Sequence, residues 1–126
     1  MRSVRAIGVD MVEIDRVRAI HRRHGKRFFE RMLTRPEQSY CLTKGDPFPS
    51  VAARIAAKEA VAKAFGAGIG SQLRWTSVSI ETLPSGAPIV VLDKQGKALL
   101  KKLKAKEVLV TLTHARGAAV AMALIQ

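Results

Sequence analysis

Cysteine is nearly missing from this chain. Cys41 stands alone, so neither an intrachain disulfide nor a multi-cysteine zinc site is available, and a reducing cytoplasm fits best. Long apolar runs are missing as well: nowhere do about 18 uninterrupted apolar residues occur, so no helix is expected to span a membrane. The opening stretch "MRSVRAIGVDMVEID" has too few apolar positions, broken by Arg, Asp and Glu, for a signal peptide. Aromatic residues make up only 5%, with no stacking pair, zinc finger or RNA-recognition motif in view, which counts against a nucleic-acid-binding module. Acidic residues are scarce too. Ten Asp and Glu face 22 Lys and Arg, for a net charge of +12, which predicts an acidic partner or ligand without saying which.

What is present reads as a folded protein. A length of 126 residues suits one domain over 1–126, and 48% hydrophobic content without low-complexity tracts argues against disorder. The pattern predicts a strand over 3–11, with Asp10 at its end, and then a helix over 16–24 with Asp15 as N-cap and Gly25 as terminator. Phe28, Phe29, Met32 and Leu33 repeat at the spacing of a second short helix. "KGDPFPS" reads as a loop in which Ser50 caps a helix running from Val51 to about Phe65. Val78, Ile80 and the run from Ile89 to Leu92 flank "PSGAP" as a hairpin. Asp93 opens a lysine-rich helix with Leu99, Leu100 and Leu103 along one stripe. Two strands, 108–113 and 118–125, close the chain around "HARG". With helices gathered early and an antiparallel sheet late, the expected class is α+β.

"RIAAKEAVAKAFGAGIG", residues 54–70, carries the chemistry. Glu59 and Lys63 are four apart, hence neighbours on one helix face, which in most helices makes nothing more than a surface pair. Here three alternating glycines follow. Gly66 serves as a C-cap, while Gly68 and Gly70 remain as places where backbone can approach a ligand. The order argues against a dinucleotide or Walker loop, because those place glycines before a helix and not after it. A helix C-terminus repels anions, so phosphate at this end needs a cation: Lys63, or a metal held by Glu59. Asp10 in "GVDMVEI" is the second carboxylate, and together Asp10 and Glu59 would offer Mg²⁺ two hard oxygen ligands with positions left open for substrate phosphates.

"GVDMVEIDR", "RIAAKEAVAKAFGAGIG" and "VTLTH", with "KRFFERMLTRPE" between the first two, resemble in order and spacing the holo-acyl-carrier-protein synthases, a family of 4′-phosphopantetheinyl transferases. The resemblance runs the full length of the chain. It implies the 4′-phosphopantetheinyl transferase-like fold, an antiparallel sheet packed against a long central helix. The implied reaction moves phosphopantetheine from coenzyme A to a serine of apo acyl carrier protein, releases adenosine 3′,5′-bisphosphate, and supports fatty-acid or polyketide synthesis. Carried over by motif, Asp10 and Glu59 would ligate Mg²⁺, and Glu59 and Lys63 would be catalytic, either being a candidate to accept the serine proton. Lys63, Gly66, Arg54 and His114 would contact coenzyme A. Arg16, closing "GVDMVEIDR", would dock the acidic carrier with Arg22, Arg23 and Arg27. A cytoplasmic homotrimer with sites between subunits, and no nucleic-acid or membrane partner, is implied as well.

Several positions depart from the family's usual pattern. Gly86, Ala87 and Pro88 stand where Gly-Lys-Pro is frequent, Ile55 replaces a common Phe, and Thr111, Thr113, Ala115 and Arg116 replace a serine-rich late motif. Two rival readings fit less of the chain. A basic nucleic-acid binder explains the charge but not Asp10, Glu59 and the glycines. A noncatalytic carrier-binding protein leaves those residues a coincidence.

Overall fold

The computed structural model describes residues 3–126. Strand β1 (Ala6–Glu13) is followed by helices α1 (Ile14–His24), α2 (Lys26–Met32), α3 (Arg35–Leu42) and α4 (Phe48–Phe65). A 3-10 turn at Trp75–Ser77 leads into strands β2 (Val78–Thr82) and β3 (Pro88–Leu92), helix α5 (Lys94–Lys102), and strands β4 (Val108–His114) and β5 (Ala118–Ile125). The sheets are antiparallel: one has the order β1-β5-β4, and β2 and β3 form a separate ribbon. The class is α+β, and α4 is its centre.

Helix α4 is buried on almost every side from Val51 to Ala64, broken only by Glu59 and Lys63. A helix apolar all round must sit inside, and this one divides the core in two. On one flank Ala57, Ala60 and Val61 meet Val78, Ile80, Ala121, Ala123 and Ile125. On the other, Val51, Ala52 and Ile55 meet Ile14, Val17, Phe28, Phe29 and Leu33. The alanine density serves close approach as well as helix propensity. A Cβ added at Gly8 of β1 would collide with the carbonyl oxygen of Ala60, so strand and helix touch nearly backbone to backbone.

Tertiary pairing moved several predicted boundaries. β1 runs on to Glu13 because β5 pairs with it from Ala6↔Ile125 to Glu13↔Ala118, which puts Asp10 in mid-strand and not at its end. The sheet is therefore not confined to the late chain; its edge is the first strand. Glu13, not Asp15, is the N-cap of α1, and it gives no side-chain bond; Asp15 lies inside the first turn, where its charge suits the helix dipole. Gly25 does end α1, at φ 61° with its N–H donating to the His21 carbonyl at 2.7 Å. Pro47 is the N-cap of α4, and Ser50 falls within its first turn. Helix α3 had no counterpart in the sequence reading. The Asp93 carboxylate does cap α5, accepting from the Gly96 N–H at 2.9 Å. Among the described residues no helix is long and apolar enough to cross a membrane.

Candidate active site

Side chains alternate along β1: Ile7, Val9, Met11 and Glu13 are exposed, whereas Gly8 and Asp10 are on the face turned to α4. The tight contact at Gly8 thus delivers Asp10, two residues on, to the part of α4 that carries Glu59 and Lys63. The Lys63 ammonium donates to Asp10 Oδ1 at 2.8 Å and to the Val9 carbonyl at 3.2 Å. This corrects the helical surface pair: Lys63 turns to Asp10 across the strand, not to Glu59 one turn away.

Asp10 and Glu59 line one cavity of about 410 Å³. Arg16 stands at its side, and Val17, Ile20, Phe28, Ile55 and Trp75 give it an apolar floor and wall. Burial pushes the Glu59 carboxyl above its ordinary range, the nearby Asp10 charge pushes it further, and Lys63 opposes both. The Lys63 ammonium is pushed up, first by its hydrogen bond to Asp10 and then by that residue's charge. A carboxylate whose proton affinity is raised by burial and by a neighbouring carboxylate marks a place where positive charge is favoured. Among the described residues no group of three or more His, Cys, Asp or Glu converges, so a metal would take two protein ligands and complete its shell from substrate and water. That donor set, all oxygen and open on one side, fits Mg²⁺.

Arg54 and His114 lie elsewhere. Both line a second cavity of about 210 Å³, with Tyr40, Thr82, Gly86 and Thr111. Arg54 is buried: Nη1 donates to the Ser50 carbonyl at 3.3 Å, Nη2 to Thr82 Oγ1 at 2.9 Å, and its guanidinium lies 4.4 Å from the Tyr40 ring centroid. Its Nε is buried without a hydrogen-bond partner among the described residues. Along α4, Arg54 and Lys63 are separated by roughly 13 Å. The residues expected to bind coenzyme A are thus divided within one chain: Arg54 and His114 line the second cavity, and Lys63 and Gly66 stand at the far end of α4.

Gly66 is the left-handed C-cap of α4 at φ 71° and stands exposed, and Gly70 needs its φ of 106°. Gly68 has no left-handed φ, and a Cβ there would meet nothing within 4 Å. Of the four arginines expected to dock a carrier, Arg16 lines the first cavity; Arg22, Arg23 and Arg27 lie exposed farther along α1 and α2.

The sequence model of the 4′-phosphopantetheinyl transferase superfamily matches residues 6–123. The chain belongs to this superfamily. Among related transferases, a holo-[acyl-carrier-protein] synthase of Chlorobaculum parvum is 44% identical over 120 residues, covering 95% of this chain and 97% of that one. One from Chlamydia trachomatis serovar L2 is 42% identical over 120 residues, covering 95% and 98%. The crystal structure of the Neisseria meningitidis synthase superposes with a TM-score of 0.90 at 26% identity, covering 98% and 99%. That of the Helicobacter pylori synthase in complex with coenzyme A gives 0.84 at 30%, covering 95% and 99%. The transferase fold expected from the motifs is therefore the one observed. What the motifs did not single out is Trp75 in the cavity wall, and the buried Glu37 and Lys58 behind it. A signal for Glu37 was present in "TRPE", where Thr34 and Glu37 form a capping box with Pro36 in the first turn of α3.

Proposed function

We infer that this chain transfers the 4′-phosphopantetheine group of coenzyme A to a serine hydroxyl of an apo acyl carrier protein. The observation that carries this reading is that Asp10, remote in sequence from α4, shares one cavity with Glu59 and pairs with Lys63 in a chain of this superfamily. In the reaction the serine oxygen forms a bond to the β-phosphorus of the diphosphate, the bridging P–O bond breaks, and adenosine 3′,5′-bisphosphate departs. Mg²⁺, held by Asp10 and Glu59, would neutralise charge on the diphosphate oxygens. Lys63 supplies a fixed positive charge beside the same oxygens. Asp10 holds Lys63 protonated, which leaves Glu59 as the group placed to take the serine proton.

Lys63 and Gly66 at the end of α4, with Arg54 and His114 at the second cavity, form the two parts of a coenzyme A site. Those parts come together if the protein is a homotrimer with each site shared by neighbours. The exposed apolar face of the main sheet supports such an assembly: Ile7, Val9, Met11, Leu109 and Met122 are all solvent-facing, Met11 at 65%. Arg16, with Arg22, Arg23 and Arg27, presents positive charge to an acidic carrier. The protein acts in the cytoplasm, as one domain over 1–126.

Mass spectrometry tests the proposal. Apo carrier incubated with the protein, coenzyme A and Mg²⁺ gains one phosphopantetheine; omission of metal, Asp10→Ala or Glu59→Ala reduces the rate by a hundredfold or more, on the order expected for loss of transition-state charge stabilisation. An unmodified carrier with the parent protein overturns the reading.

A further inference from the structure

Behind the cavity wall lies a polar network that the transfer chemistry does not use. Lys58 and Glu37 are fully buried and 2.6 Å apart. Glu37 is saturated: Oε1 also accepts from the Thr34 N–H at 2.8 Å and its hydroxyl at 3.1 Å, and Oε2 accepts from the Ile80 N–H at 2.7 Å. The Lys58 ammonium donates its other bond to the carbonyl of Trp75 at 2.8 Å. The buried pair therefore ties together four elements: Glu37 joins α3 to strand β2, and Lys58 joins α4 to Glu37 and to the 3-10 turn.

A buried ion pair is a poor device for stability, since an apolar pair of equal volume often does as well or better. What it supplies is fixed geometry. The stretch from Gly66 to Arg74 that leads into the turn contains no regular element, only an isolated bridge between Ile69 and Leu73. The tie from Lys58 to the Trp75 carbonyl thus anchors directly to α4 a turn reached through a stretch without a regular element. Trp75 is a wall of the cavity that holds Asp10 and Glu59, and Lys58 is the residue immediately before Glu59. Adjacent positions on one helix therefore set the reacting carboxylate and the opposite apolar wall.

We propose that Lys58 and Glu37 are positioning residues for the transfer, a buried tie that holds the Trp75 turn against α4 so that the indole guides the chain of coenzyme A past Glu59. This rests on the transferase reading above. An apolar wall touches that chain equally before and during reaction, so its loss raises KM and leaves kcat nearly unchanged.

The test uses the double variant Lys58→Met/Glu37→Gln, which removes both buried charges while nearly keeping volume, and Trp75→Ala in the intact network. Trp75 is the only tryptophan of the chain, so its fluorescence reports the turn alone. The double variant leaves the Trp75 carbonyl and one of the two backbone N–H groups on Glu37 without a partner, so it is expected to melt below the parent by about 5–15 °C and to stay folded at the assay temperature. It should also show red-shifted emission, faster acrylamide quenching, and a KM for coenzyme A raised about tenfold with kcat within about threefold. Trp75→Ala should reproduce that KM rise. A folded double variant with parental emission and KM shows the network to be structural only and overturns the proposal. So does a parental KM in Trp75→Ala, whether or not the double variant folds. A parent protein that transfers nothing removes the transferase reading instead.

Discussion

Glu59 is a residue whose cost to folding and use in chemistry point in opposite directions. Its carboxyl titrates above the ordinary 4.5, so the folded state holds the proton more tightly than the unfolded one. Below about pH 4 both states are protonated and nothing is lost; as pH rises the unfolded chain ionises first, and stability falls until the folded carboxyl has ionised too. Glu59→Gln is therefore expected to melt above the parent at pH 7, with the gap closing near pH 4, while transfer is lost. Calorimetry across that range decides it, and a variant less stable than the parent at pH 7 contradicts the assigned strain. Added Mg²⁺ should raise the melting temperature of the parent and not of the variant, which reads metal binding without reference to turnover. Cys41 offers a contrast: burial pushes its thiol up to about 11, so the lone cysteine is an inert core residue at neutral pH.

At the scale of elements, the contact of β1 with α4 decides whether a site exists. Gly8→Ala forces a methyl group into the Ala60 carbonyl, and relief comes only by lifting β1 away from α4, carrying Asp10 from Lys63. A loss of about 1–3 kcal/mol in denaturant unfolding is expected, with activity falling further than stability explains. An unchanged activity would show that Asp10 does not depend on this contact. The same elements show what could be read in advance. Local chemistry announced α2, the hairpin, α5, β4 and β5, because Gly25, "PSGAP", Asp93 and strong apolar periodicity act within a few residues. The true extent of β1 was hidden, since its last residues are strand only because β5, more than a hundred positions later, bonds to them. Helix α3 was hidden for another reason: short and weakly patterned, it is held by Glu37, whose partners Ile80 and Lys58 come from β2 and α4. Asp10, Glu59 and Lys63 were legible as chemistry, but the swap of Lys63 from Glu59 to Asp10 was not, being a matter of strand placement.

Across the whole molecule, the division of Asp10 and Lys63 from Arg54 and His114 implies a test of assembly. If sites are shared between neighbours, mixing Asp10→Ala with His114→Ala protein and allowing subunits to exchange should restore about a quarter of the sites, because only some interfaces pair two intact halves. Sites contained within one chain would leave every mixture inactive. Replacing Met122 by Glu on the exposed sheet face should disperse the assembly and lower turnover together, as read by light scattering alongside the transfer assay. The pairing of β1 with β5 reaches beyond the finished molecule. On a ribosome, the strand bearing Asp10 emerges early and waits without its only sheet neighbour until residues 118–125 have been made. A chain lacking residues 118–125 thus leaves β1 unpaired, and that strand is what chaperones would meet.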